Sequence, residues 1–182
     1  MEYVEYTHIN KTVWETKLIQ CYKQVFAAPP WNEDWWTDEL VREVLERYAG
    51  PNAKIILAVV EDEVVGFAWG ALWRSADLAA ELDLSLPYES ELMLGYIKDV
   101  GVIEAFRQSG VAKTLLNKLL LSLQSECSSK SYVLARTLAH PKPSVIYKWF
   151  PRLGFVVVAE YAKEHERFGQ VVLSCPTSHV SF

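Results

Sequence analysis

Apolar positions alternate weakly over residues 3–9 (YVEYTHI), which predicts a first strand. The period then changes. Trp14, Leu18, Tyr22, Val25 and Phe26 recur at helical spacing, so a helix is expected to run to about Ala27, opened by the capping-box pair Thr12 and Glu15. Pro29-Pro30-Trp31 stops it. Thr37 can cap a second helix with Asp38 and Glu39 in its first turn, an apolar face of Leu40, Val41, Val44, Leu45 and Tyr48, and an end at Gly50-Pro51. Two β-rich runs, 54–60 and 64–73, predict a hairpin around Glu61-Asp62-Glu63. Residues 75–94 break the rhythm and read as an insertion, partly helical and interrupted by Pro87. A strand is expected over 95–102, followed by a helix burying Ala112, Leu115, Leu116, Leu119, Leu120 and Leu123. A strand over 132–138, a short helix over 144–150 ended near Pro151, and a hairpin of 155–161 with 170–175 complete the chain. This order predicts a single α/β domain over residues 1–182 with a mixed sheet.

Composition supports a packed domain. Of 182 residues, 51% are apolar and 13% aromatic, enough to offset the entropy of ordering the chain. The net charge of −5 argues against a general electrostatic grip on nucleic acid or anionic membrane. Cys21, Cys127 and Cys175 are odd in number and widely spaced, and the opening MEYVEYTHIN lacks a signal-peptide core, so a cytoplasmic location is expected. The charge is uneven. Residues 33–46 carry six acids and one base, 75–94 five acids and no base, and 127–159 five bases and no acid. Such segments suit a cation on one side of a cleft and a polyanion on the other, or are solvated faces of ordinary helices.

The most informative stretch is YIKDVGVIEAFRQSGVAKTLL (96–116). A strand ends near Val102, a short loop carries Arg107, and Ser109-Gly110 opens an amphipathic helix. Amides of a first helical turn lack intrahelical partners, and small residues at 109, 110 and 112 admit an anion to them. Arg107, Lys113 and Thr114 would add donors. This is a diphosphate cradle in physical terms, although a plain strand-to-helix turn has the same pattern. It is neither a Walker loop nor a Rossmann fingerprint.

RQSGVA (107–112) resembles the Q/R-x-x-G-x-G/A signature of the GNAT superfamily of CoA-dependent N-acetyltransferases. Asp99-Val100-Gly101-Val102 looks like that family's fourth strand, Arg152-Leu153-Gly154-Phe155 like its later helix-to-strand junction, and FAAPPWNEDWW (26–36) like the loop between its first two helices. The resemblance implies a mostly antiparallel sheet flanked by helices and splayed between the fourth and fifth strands. Acetyl-CoA would be the cosubstrate and no metal would be needed. Backbone around Val100 and Val102 would pair with pantetheine like an added strand. Amides of Arg107, Gln108, Ser109, Gly110, Val111 and Ala112, with Lys113 and Thr114, would hold the diphosphate. The Val100 amide would face the developing oxyanion.

Two positions depart from that pattern. Phe150 stands where many members have a proton-donating Tyr, and Tyr147 lies one helical turn earlier as a catalytic candidate or an ordinary core tyrosine. Pro143 stands where many members carry an Asn, with Ser144 beside it as helix cap and altered CoA contact. An amine acceptor must lose a proton, and Asp99 is the first candidate base, with Glu33, Asp34 and Glu89 as alternatives. Strand parity sets Asp99 opposite Val100 and Val102 unless a bulge intervenes. His140 reads as part of a CoA-side loop. Trp31, Trp35 and Trp36, beside Asn32, Glu33 and Asp34, offer aromatic and acidic surface to a cationic amine, or pack the loop onto the sheet. Trp69 and Trp73 are core or pocket wall.

The expected activity is acetyl transfer to a small cationic primary amine by direct attack. The alternatives are acetylation of a protein or peptide amine and a non-catalytic CoA sensor. The expected partner is a small-molecule amine, without nucleic acid or membrane, and a homodimer stays open.

Overall fold

The structure, a computed structural model, describes residues 1–7, 9–29, 31–48, 52–126, 131–138, 145–161 and 170–177. Seven strands are hydrogen-bonded in the order β1-β2-β3-β4-β5-β7-β6, antiparallel except for β4 with β5. They are β1 Glu2–Tyr6, β2 Ala53–Val60, β3 Glu63–Arg74, β4 Met93–Val102, β5 Tyr132–Leu138, β6 Val156–Tyr161 and β7 Gln170–Pro176. The helices are α1 Lys11–Ala27, α2 Asp38–Tyr48, α3 Ser75–Leu82, α4 Val111–Glu126 and α5 Val145–Trp149. The chain divides into two units, Met1–Ala71 with Asp99–Ser122, and Leu72–Lys98 with Leu123–Phe182.

In the first unit, α1 and α2 bury one face each. Leu18, Ile19, Tyr22, Val25 and Phe26 of α1 and Val41 and Leu45 of α2 form one core with Ile55, Leu57 and Val59 of β2 and Val64, Phe67 and Trp69 of β3. Trp69 is therefore core. The helix α1 does not start with the expected Thr12–Glu15 box. Asn10 precedes it, its side chain accepting from the Thr7 amide and donating to the Glu5 carbonyl, so it ties the strand exit rather than capping the helix. Glu15 instead pairs with Lys11 at 3.1 Å, one turn back. Thr37 does cap α2, accepting from the Leu40 amide at 3.2 Å. The hairpin turn is two residues, Glu61 and Asp62, both at positive φ, and Val60 pairs with Glu63.

Helix α4 buries Val111, Leu115, Leu116, Leu119 and Leu120, whereas Ala112, expected on that face, is exposed. Two glycines bring β3, the end of β4 and α1 together. A Cβ on Gly66 would lie 3.0 Å from the Gly101 carbonyl oxygen, and one on Gly101 would lie 2.7 Å from the Phe67 ring and 2.8 Å from Val25. No side chain fits at residue 101, so α1 approaches the β4 backbone directly.

In the second unit, the 75–94 segment is helical over α3, as the sequence suggests. Leu78 and Leu82 pack on Leu94 and Tyr96 of β4, Leu134 of β5 and Val172 of β7, with Trp73 at the margin. Asp83, at φ 55°, closes the helix through its amide. The Tyr88 hydroxyl lies 2.6 Å from Ser174 Oγ, fixing the return loop to β7. The parallel β4–β5 ladder consists of three pairs, Gly95↔Val133, Tyr96↔Leu134 and Ile97↔Ala135. β5 is then paired with β7 from Tyr132↔Pro176 to Leu138↔Gln170. After α5 the chain does not stop at Pro151. It continues as a 3-10 turn over Phe150–Leu153, ended by Gly154 at φ 83°.

Candidate active site

The end of β4 settles the parity question. Asp99 lies within reach of Tyr22 of α1, and Gly101, two residues on, faces Val25 of the same helix. Val102 faces the opposite way, toward Gly66 and Leu115 of α4. Asp99 and Gly101 therefore share the α1 face and Val102 takes the other.

Tyr22 is almost fully buried, and its ring is enclosed by aromatics. Ring centroids lie 4.5 Å from Phe26, 5.2 Å from Trp36 at a near-perpendicular angle, and 5.4 Å from Phe67 in a stack. A buried phenol needs a partner for its hydroxyl, and Tyr22 donates to Asp99 Oδ2 at 3.5 Å. Residues 31–37 close over this cluster. The Glu33 amide donates to the Phe26 carbonyl at 2.8 Å, and Asn32 takes a positive φ of 54° to allow the turn. Trp31 packs on Phe26 at 5.7 Å and Trp35 stacks on Trp36 at 4.3 Å with its outer surface exposed.

The acids of this region are partly committed. Trp36 Nε1 donates to Glu33 Oε2 at 2.9 Å, so Glu33 anchors the loop. Asp38 pairs with Lys23 at 2.6 Å, and that hydrogen bond holds its carboxyl below the ordinary value. Asp34 is exposed. Glu89, the other alternative base, is an exposed residue of the second unit. Cys21, beside Tyr22, is no nucleophile at neutral pH, since burial pushes its thiol up to about 12. Cys127 lies outside the described residues.

The RQSGVA turn follows the 3-10 turn Glu104–Phe106. Gln108 has φ 64°, the Ser109 hydroxyl donates to the Phe106 carbonyl at 2.6 Å, and Gly110 has φ 85°. The first helical bond of α4 runs from the Thr114 amide to the Gly110 carbonyl at 3.1 Å. The amides of Val111, Ala112 and Lys113 precede it and have no intrahelical acceptor. A Cβ on Gly110 would meet nothing within 4 Å, so the space beside Gly110 at the head of α4 is open. An open, positively polarised turn without side-chain bulk fits a diphosphate. The Thr114 hydroxyl, expected as a phosphate donor, is directed instead at the Gly110 carbonyl, 3.3 Å away.

Arg107 also departs from expectation. Its guanidinium does not face the open turn. Nε donates to the Val102 carbonyl at 3.1 Å and Nη1 to the Pro29 carbonyl at 2.8 Å. Main-chain amides, with exposed Lys113, are what the turn offers an anion.

In the second unit, Tyr147 is a half-buried residue of α5, and Phe150 is 1% exposed and packs on Phe155 with centroids 4.5 Å apart. Phe150 is thus a core residue with no proton to give. Ser144, Pro143 and His140 lie outside the described residues. Among the described residues no group of three His, Cys, Asp or Glu could hold a metal, and no helix is long and apolar enough to cross a membrane.

Sequence reasoning missed Tyr22 and the Pro29 carbonyl, and it left Trp36 between acceptor surface and loop packing, where its bond to Glu33 and its contact with Tyr22 make it packing. The available signal for Tyr22 was a hydroxyl among apolar repeat positions of α1, a group that must find a partner when buried.

The sequence profile described as the acetyltransferase (GNAT) family matches residues 17–155. No curated protein gives a match. A ribosomal-protein-alanine N-acetyltransferase from Brucella melitensis superposes with a TM-score of 0.68 at 17% identity, over 97% of this chain and 99% of that one. Arabidopsis thaliana NAA60 in complex with acetyl-CoA gives 0.65 at 19% identity, over 96% and 97%. An aminoglycoside 6'-N-acetyltransferase complexed with coenzyme A gives 0.66 at 16% identity, over 97% of each chain. These likenesses are of fold. The profile spans well over half the chain, including α1 from Lys17 on, the end of β4 and the RQSGVA turn, and on that ground the chain belongs to the acetyltransferase (GNAT) family.

Proposed function

We propose that the chain transfers the acetyl group of acetyl-CoA to the primary amine of a small cationic molecule by direct attack, with no covalent enzyme intermediate. The observation that carries this reading is the Asp99 carboxylate, held by Tyr22 on the α1 face beside a loop of tryptophans and acids. When bound, acetyl-CoA supplies an activated acyl group. The amides of Val111, Ala112 and Lys113 would hold its diphosphate, with Gln108, Ser109 and Gly110 shaping the approach. Backbone at Val100 and Val102 would align the pantetheine arm. The Val100 amide would donate to oxygen as negative charge develops. Asp99 would take the proton that an ammonium acceptor must lose before attack. Trp35 and Asp34 would meet the cationic body of the acceptor, with Trp31 and Glu33 holding the loop in place. The chain would work as one domain, in the cytoplasm.

The test is the kcat/KM for acetyl-CoA turnover over polyamines, aminoglycosides, amino-terminal peptides and neutral or acidic amines. Small polycations are expected to lead, and Asp34→Lys should weaken them while leaving the KM for acetyl-CoA unchanged. A lead for peptides would move the acceptor to the protein class, as the name of one superposed enzyme, the ribosomal-protein-alanine N-acetyltransferase, would have it.

Phe150 leaves no tyrosine hydroxyl at the position many family members use. Tyr147→Phe is expected to lower kcat by less than about tenfold, short of the roughly 10²–10⁴ of a general acid–base group. Steady-state kinetics on the folded variant check this, and a larger loss would make Tyr147 the acid.

A further inference from the structure

We infer that Arg107 is a positioning residue that couples occupancy of the diphosphate turn to the order of the acceptor-side loop. The inference rests on the cofactor reading above. Arg107 opens the turn, yet its guanidinium spans two carbonyls, Val102 at the end of β4 and Pro29 just past α1, 78 residues away in sequence. Charge-assisted bonds of this kind are roughly twice as strong as neutral ones. Pro29 has no amide hydrogen, so its carbonyl is the one backbone group through which its position can be held this way.

What Pro29 fixes is the loop that follows. The Trp31 and Asn32 amides both donate to the Ala28 carbonyl, and the Glu33 amide returns to Phe26. Glu33 then holds Trp36, Trp36 sets its edge against Tyr22, and Tyr22 reaches Asp99. An unbroken series of contacts therefore leads from the first residue of the turn to the candidate base. An anion that orders residues 107–114 stabilises the conformation in which Arg107 holds Pro29. By linkage, a loop already held in place improves anion binding by the same factor. The arrangement would favour acceptor capture after the cofactor is seated.

Hydrogen exchange measured by mass spectrometry tests this without any acceptor, using CoA as the probe. In the wild-type chain, saturating CoA should slow exchange across residues 107–114 and, about fivefold or more, across 28–37. Arg107→Gln separates the two bonds. The glutamine Nε2 falls where arginine Nε lies, so the bond to Val102 is kept, while nothing replaces Nη1 at Pro29. This variant should bind CoA less than about tenfold more weakly than wild type by calorimetry, a loss of about the coupling factor itself. It should still protect 107–114, and should lose CoA-dependent protection of 28–37. Protection of 28–37 that persists in Arg107→Gln overturns the proposal. So does a wild-type chain that binds CoA with no change at 28–37, a result that needs no variant. A tenfold or greater loss of CoA affinity in Arg107→Gln would also overturn it, by making the guanidinium a cofactor contact. Failure of the wild-type chain to bind CoA at all would instead refute the underlying cofactor reading.

Discussion

Gly110→Glu is expected to abolish CoA binding while leaving the fold intact. Gly110 sits at φ 85°, and a Cβ there would meet nothing within 4 Å. The substitution therefore costs backbone strain of about 1–3 kcal/mol, with no clash to add to it. The new side chain would project into the open space at the head of α4. It would fill the place a phosphate needs and would put a negative charge at the positive end of α4. The loss of CoA affinity should exceed roughly 100-fold, or about 2.8 kcal/mol. Gly110→Ala separates the causes, since it carries the strain without the charge and should lose much less. Titration calorimetry of both variants, with circular dichroism to confirm folding, gives the answer. Unchanged affinity in folded Gly110→Glu would remove the turn from the cofactor site.

Asp99→Asn should lower kcat by roughly 10²–10⁴ at neutral pH with CoA affinity retained, the range for loss of a positioned general base. Asparagine keeps the shape and can still accept from Tyr22, so the change removes the proton acceptor and little else. The pH profile carries the more specific signature. Alkyl amines ordinarily titrate near 10.4, so at neutral pH almost every acceptor arrives protonated. As pH rises, solvent supplies free amine and the need for Asp99 falls. The deficit of the variant should therefore shrink toward high pH. A deficit constant across pH would give Asp99 a structural part only. Tyr22→Phe should have a smaller effect, because it frees the carboxylate from one hydrogen bond without deleting it.

Much of the framework is legible in local pattern. The apolar period of α1 ends at Ala27 as read, β5 occupies 132–138 as read, and RQSGVA falls at the mouth of a helix. Each of these rests on neighbours within a few residues, where periodicity and turn chemistry decide. The errors are also local but came from competition. Asn10 could satisfy the exit of β1 better than it could cap α1, and Thr12 was drawn inside the helix. Ala112 fits an apolar face in sequence, but Val111 takes the buried position and leaves Ala112 to the open turn. The working contacts were not legible, because they join distant segments. Tyr22 meets Asp99 across 77 residues, and Arg107 meets Pro29 across 78. No local rule tells an arginine beside a phosphate-binding turn whether to bind the phosphate or a carbonyl. Glu33 illustrates the same limit, since its carboxylate suits a cationic ligand but is taken by the indole of Trp36.

The central claim is that this member of the family transfers acetyl groups to small cationic amines. The most direct measurement follows CoA thiol release and acetylated product together, with acetyl-CoA and a single polyamine, in the wild type and in Asp99→Asn. The account predicts one mole of acetylated amine per mole of thiol, no acetylated enzyme by intact mass, and a rate that collapses in the variant at neutral pH. Tight CoA binding without thiol release above background for any polycationic amine would contradict it, as would accumulation of an acetylated enzyme on the path to product.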